Sequence, residues 1–154
     1  MRIMSPTADV VCSNNKGEIL MVHNIDFDSW TFPAGNVEEG TSWGESAAQE
    51  ALEEGRLTIK PEDLTPFATI SGSGYIYQYK DGSTQPFTLV FTTDKFTEQV
   101  EAALDESEIS KTRWVTLDEA ERLKKSLSAR YILPAYKKWL ETKEFQQIVI
   151  KGDQ

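Results

Sequence analysis

The feature that most constrains this chain is the stretch Gly35 to Leu57. A glycine-containing loop there feeds a segment with a strong helix start and an acidic face. Ser42-Trp43-Gly44-Glu45 has the form of a capping box, in which the Ser hydroxyl and the Glu carboxylate each satisfy a backbone N–H that the first turn leaves unpaired. A helix is therefore predicted from Trp43, ending at Gly55, a residue suited to the left-handed position after a helix. Glu50, Glu53 and Glu54 stand at i, i+3 and i+4 within it, so three carboxylates share one face, while Ala47, Ala48, Ala51 and Leu52 remain for packing.

That face is unfavourable by itself. Like charges at helical spacing cost about 0.2–0.5 kcal/mol per pair. The negative end of the helix dipole adds to the repulsion in the last turn. The stretch contains no lysine and a single arginine, Arg56. A divalent cation would reverse the sign of each of these effects, and Mg²⁺ prefers carboxylate oxygens together with water and phosphate. The competing account is a solvated acidic helix.

The rest of the chain reads as mixed α and β. Ala8 to Ser13 and Glu18 to His23 are short apolar runs around Asn14-Asn15-Lys16-Gly17, a hairpin signal. Trp30 to Phe32 is a brief extended piece stopped by Pro33. Phe67–Ser71, Tyr75–Tyr79 and Phe87–Thr93 are predicted strands, the last two joined across Asp81-Gly82, and Trp114-Val115 is another. Thr116-x-x-Glu119 is a second capping box, opening a helix from Leu117 to about Lys125. A further helix is expected over Ala129–Glu141, with Pro134 kinking it or lying near its start. The tail from Phe145 to Ile150 is either a strand or a docked arm. With 154 residues, no repeat and no linker, one domain spanning 1–154 is expected.

Composition excludes several functions. A net charge of −9 argues against a nucleic acid polymer as partner. The basic clusters Arg122, Lys124, Lys125 and Lys137, Lys138 lie inside helical patterns. A short nucleotide held through a metal ion is compatible with an acidic chain. Cys12 is the lone cysteine, so neither an intrachain disulfide nor a cysteine metal site is expected, and it reads as a small strand residue. No signal peptide and no membrane span are read, and the expected location is cytoplasmic.

The same stretch resembles the Nudix box. That motif runs glycine, five residues, glutamate, seven residues, Arg-Glu, an apolar residue, any residue, Glu-Glu, any residue, glycine and an apolar residue. Gly35 matches the first glycine, Glu50, Glu53 and Glu54 match the glutamates of the core, and Ala51 and Leu57 fill apolar places. The lead-in Trp30-Thr31-Phe32-Pro33-Ala34-Gly35-Asn36-Val37-Glu38 is similar to the family's approach to the box. Three departures stand out. Thr41 occupies the place of the first glutamate, Gln49 replaces the arginine, and Gly55-Arg56 brings the helix-ending glycine one residue early. A neutral amide at Gln49 can hydrogen-bond but cannot balance charge.

The resemblance implies an α+β fold, a Nudix α/β/α sandwich with a mixed β-sheet between helices. It also implies hydrolysis of a nucleoside diphosphate derivative that depends on Mg²⁺ or Mn²⁺. Carried over residue by residue, Glu50, Glu53 and Glu54 are the catalytic and metal-binding candidates. The Gly35 carbonyl is a further ligand, and either Glu50 or Glu53 is the base. A loop acid ahead of the late Trp strand completes the set, with Glu108 as candidate and Glu106 as runner-up. Trp30, Phe32, Glu38 and Tyr75 are the candidate substrate-binding residues, the aromatics, with Tyr77 and Phe87, being either a stacking face for a base or core. The spacing of Tyr75 from the box is similar to that in diadenosine polyphosphate hydrolases. His23 reads as a strand-end residue. Two functional classes follow: a hydrolase of a small nucleotide, or a binding module of the same fold with weak or no turnover. A homodimer is left open.

Overall fold

The run Ala8 to Cys12, buried along its whole length, forms the inner half of the strand on which the rest of the molecule assembles. The computed structural model describes residues 2–79, 82–98 and 109–152. In chain order the strands are β1 (Arg2–Cys12), β2 (Ile19–Asn24), β3 (Ser29–Thr31), β4 (Ala34–Asn36), β5 (Leu57–Thr58), β6 (Thr65–Ser71), β7 (Tyr77–Tyr79), β8 (Gly82–Thr93), β9 (Thr97–Glu98), β10 (Ile109–Val115) and β11 (Gln146–Val149). The helices are α1 (Trp43–Gly55), α2 (Leu117–Arg122) and α3 (Leu127–Thr142).

The large sheet has the order β11-β6-β8-β1-β4, with β7 also on β8, and a smaller sheet runs β10-β2-β3. Pairing is mixed: β1 is parallel to β8 and β11 to β6, while the β1–β4 and β6–β8 pairs are antiparallel. One face of the large sheet packs on α1, where Ala47 and Ala51 meet Ala8, Val10, Cys12 and Phe91. The other face packs on α3, where Ile132, Leu133 and Tyr136 meet Val11, Phe67, Ile70 and Val90. Small residues on α1 let it approach closely, and the result is the expected α/β/α sandwich with a mixed sheet.

Three expectations are corrected. Asn14 to Gly17 does turn the chain, with Gly17 at φ +75° and the Asn14 N–H donating to the Glu18 carbonyl at 3.0 Å. Yet β1 and β2 share only a single bridge, Ser13 to Ile19, and enter different sheets. Both edges of β1 are already taken, by β8 and β4, so no hairpin ladder can form. Gly55 is the last helical residue rather than the left-handed one, and Arg56 holds that conformation at φ 60°, ψ 32°. A side chain at Gly55 would come 2.8 Å from Leu20 Cδ2, so the glycine is there for close packing. The second capped helix, α2, stops at Arg122 rather than near Lys125. From Leu123 the chain is extended, because Trp30 donates to the Lys124 carbonyl and Ser126 donates to the Trp30 carbonyl, adding this segment to the edge of β3.

Both predicted capping boxes are present, at Ser42/Glu45 and Thr116/Glu119. Pro134 lies in the interior of α3, with helix on both sides. The tail resolves as a strand, β11, parallel to β6. Its continuation requires Gly72 at φ +127°, where a side chain would strike the Ile150 backbone. Among the described residues no helix is long and apolar enough to cross a membrane.

Candidate active site

Strand β4 is the hinge of the site. Antiparallel pairing sets Ala8 opposite Gly35 and Asp9 opposite Ala34. Side chains alternate along a strand, so Gly35 faces α1 while Ala34 faces the other side. Glu50 of α1 occupies the space a side chain at Gly35 would need: a Cβ there would overlap its carboxylate. One turn later, Glu54 Oε1 accepts a hydrogen bond from the Ala34 N–H at 2.7 Å. The helix thus hangs two carboxylates on the Ala34-Gly35 backbone, and only a glycine permits the first of them. Glu53 points outward, and its Oε1 accepts from Gln49 Nε2 at 2.8 Å, so the residue in the arginine place does reach the neighbouring acid. Thr41 Oγ1 donates to the Glu38 carbonyl at 2.7 Å and meets Ser46 Oγ at 2.9 Å, fastening the loop to the first turn of α1.

Beside β4 lies a cavity of about 600 Å³ lined by, among others, Asp9, Phe32, Gly35, Glu54, Tyr75 and Lys124. Of the four candidate substrate-binding residues, Phe32 and Tyr75 are among its lining residues, yet both are core aromatics, 0% and 2% exposed. Trp30 is buried elsewhere: its ring meets His23 edge-on at 5.1 Å, with Lys111 Nζ at 5.7 Å and Arg113 Cζ at 5.6 Å. Glu38 is exposed on the loop and lies outside the cavity lining. Tyr77 lines the cavity and its hydroxyl accepts from the Ser128 N–H at 3.2 Å, whereas Phe87 is exposed. His23 Nε2 bonds Asp28 Oδ1 at 2.8 Å. Glu106 and Glu108 lie outside the described residues.

Asp9 was not a sequence candidate. It is 3% exposed, on the middle of β1, and its Oδ2 has no hydrogen-bond partner among the described residues. Burial first, and the Glu50 charge second, push its carboxyl up to about 8. The Tyr75 hydroxyl, bonded to Thr88 Oγ1 at 2.8 Å, is raised as well, chiefly by burial and then by Asp9. The one local signal was an acid beside the apolar run Val10-Val11-Cys12, which by itself does not show burial. Lys125 is lowered by desolvation and its ammonium donates to the carbonyls of Ala120, Glu121 and Leu123 at 2.8–2.9 Å, closing the end of α2.

These donors suit a divalent cation. Carboxylates and a backbone carbonyl are hard oxygen ligands, and Mg²⁺ is commonly held by one or two carboxylates with its other positions left to water and phosphate. Among the described residues no three acidic, His or Cys side chains already converge on one point. Glu50 and Glu54 at the Ala34-Gly35 strand fit the two-carboxylate arrangement, with Glu53 on the outer side of the same turn.

Comparison with known proteins identifies the family and the fold. The family model described as the NUDIX domain matches residues 4–136. An RNA pyrophosphohydrolase from Aeromonas hydrophila is 34% identical over 64 residues, covering 42% of this chain and 35% of that protein, so the chain spans about a third of the length of the curated relative. The solved MutT protein from Bacillus halodurans superposes with a TM-score of 0.70 at 16% identity, covering 96% of this chain and 89% of that one. The NUDIX domain of Shewanella oneidensis NrtR, in complex with ADP ribose, gives 0.68 at 14% identity, with 91% and 90% covered. A C. elegans Ap4A hydrolase gives 0.56 at 17% identity, with 89% and 98% covered. At these identities the structures share the fold.

Proposed function

The chain belongs to the NUDIX family, and from that premise we propose that it hydrolyses a pyrophosphate bond in a small nucleoside diphosphate derivative with the help of Mg²⁺ or Mn²⁺. One observation carries the reading. Two carboxylates that repel each other and the helix end are nonetheless seated on the Ala34-Gly35 strand, and one of them, Glu54, lines a cavity of about 600 Å³. In the reaction, water oxygen bonds to phosphorus, the bridging P–O bond breaks, and the water proton passes to a carboxylate or to solvent. A bound divalent cation supplies charge neutralisation on the phosphoryl oxygens and a more acidic water.

The protein's own residues do the rest. Glu54, fixed by the Ala34 N–H, and Glu50, fixed by the gap at Gly35, present oxygens at a set separation from the cavity. Glu53 completes the charge cluster and is steadied by Gln49, which orients it without neutralising it. Glu50 and Glu53 are the candidates for accepting the proton. Phe32 and Tyr75, buried core aromatics, back the cavity that takes the organic group, and Lys124, which also lines it, is the cation assigned to face a phosphate. The relatives point to the same class: their names record an RNA pyrophosphohydrolase, an Ap4A hydrolase and an ADP ribose complex.

Gln49 favours a second reading, a nucleotide-binding module of weak turnover, because the site lacks the arginine cation. A panel of nucleoside triphosphates, nucleotide sugars, dinucleoside polyphosphates and a short 5′-triphosphate RNA, assayed for phosphate release with Mg²⁺ or Mn²⁺ and again with chelator, separates the two. Metal-dependent release from a small nucleotide supports hydrolysis. Binding of the same nucleotides without turnover supports the module.

A further inference from the structure

Only two buried side-chain polar atoms among the described residues lack a hydrogen-bond partner, Ser5 Oγ and Asp9 Oδ2. Both belong to β1, and both residues line the same cavity. They sit at i and i+4 with Thr7 between, so all three point to one face of the strand. Thr7 Oγ1 is satisfied, meeting Thr88 Oγ1 at 2.5 Å. A buried polar atom without a partner is uncommon and costs free energy unless something fills the vacancy. Two such atoms on one strand face, in residues that line one cavity, mark the place where a ligand supplies the missing bonds.

The face matters. Ala8, Val10 and Cys12 pack toward α1, so Ser5, Thr7 and Asp9 point to the opposite side of the sheet from the helix that carries the glutamates. Asp9 feels Glu50 across the β1–β4 edge but does not share its side. The row therefore serves the part of the substrate that lies beyond the phosphates, over a length of roughly 13 Å at about 3.3 Å per residue. The cavity lining there includes the exposed Phe27 ring and the buried Phe32, Tyr75 and Pro86, an apolar surround that suits a planar ring. Resting on the hydrolase reading above, we propose that Asp9 is the specificity-determining residue of this cavity, accepting a hydrogen bond from an N–H-bearing edge of a nucleobase, with Ser5 as a second polar contact along the same strand.

The test uses the full chain as wild type, Asp9→Asn, Asp9→Leu and Ser5→Ala, with native-like circular dichroism required of each. Binding of AMP, GMP, CMP, UMP and ribose 5-phosphate is measured by calorimetry, and the Mg²⁺-induced rise in Tm is recorded in parallel. The wild type is expected to prefer at least one base-bearing monophosphate over ribose 5-phosphate by tenfold or more. Asp9→Leu should erase that preference, a loss on the order of 10–100-fold for a removed hydrogen-bonding group. Asp9→Asn should weaken or change the base preference, since it fixes an N–H₂ donor at one of the two positions where a carboxyl can present an oxygen acceptor, and it carries the test if the leucine variant fails to fold. Ser5→Ala should weaken binding less, and the Mg²⁺ shift should persist in all variants. The proposal is overturned if the wild type binds none of the bases better than ribose 5-phosphate, if both Asp9 variants keep the wild-type preference, or if they lose the Mg²⁺ shift, which would put Asp9 in the cation site. Absence of hydrolysis with Asp9-dependent base preference intact refutes the hydrolase reading alone.

Discussion

Asp9→Asn should uncouple the stability of the fold from pH. The ordinary carboxyl value is 3.8, and burial with the Glu50 charge lifts Asp9 to about 8 in the native state. Between those values the native protein holds a proton that the unfolded chain has released, so stability falls as pH rises. The contribution is fully present below 3.8 and is lost by the time pH passes about 8. A rise of about four units at 1.36 kcal/mol each sets a ceiling of roughly 5–6 kcal/mol. Between pH 4.5 and 7.5, with some rearrangement around the charged form, a loss of roughly 2–4 kcal/mol is expected. Asparagine is the neutral isostere, so it should be close to wild type near pH 4.5 and more stable above pH 7. Urea unfolding in chelator, followed by the fluorescence of the four tryptophans, gives the difference at each pH. Parallel pH profiles for the two proteins would refute the reasoning, and a wild type that gains on the variant with rising pH would show Asp9 to be ionised and paired.

Three further outcomes follow from the acidic turn. Mg²⁺ or Mn²⁺ at millimolar concentration should raise Tm by mass action, and Glu54→Gln should remove most of that shift and most activity while leaving the apoprotein at least as stable, as checked by thermal scans with and without chelator. Gly35→Ala should displace Glu50 at a stability cost under about 1 kcal/mol, since the far end of a flexible side chain gives way, yet lower kcat tenfold or more; an unchanged kcat sinks the role given to Glu50. Gln49→Arg should raise kcat a few-fold, roughly 0.5–1 kcal/mol of barrier, by placing a cation on Glu53. If Arg56 already supplies that cation, Gln49→Arg changes nothing and Arg56→Ala is the damaging substitution in the same assay.

Local chemistry determined a large part of this protein. Both capped helix starts, the acidic turn of α1, the Gln49 to Glu53 contact and the existence of most strands are written in residues a few positions apart, where short-range rules decide the outcome. The box spacing also carried the family, because carboxylates that must meet one site need a fixed offset on a helix. Long-range pairing was not legible. The turn at Asn14 to Gly17 looks like a hairpin, but whether two strands stay paired depends on which edges distant strands have already filled, here β4 and β8. Gly55 reads as a helix stop, yet its reason is Leu20 from another strand, and the left-handed position falls to Arg56. Trp30 could be a stacking face or core, and only the fold decided for core by enclosing it with His23, Lys111 and Arg113. Asp9 is the sharpest case. In the sequence it is one acid among many, and only the closing of β4, β8 and the Tyr75 loop around β1 removes its water and leaves an oxygen unbonded at a cavity wall. Burial is a property of the assembled layers, and no segment of a few residues can encode it.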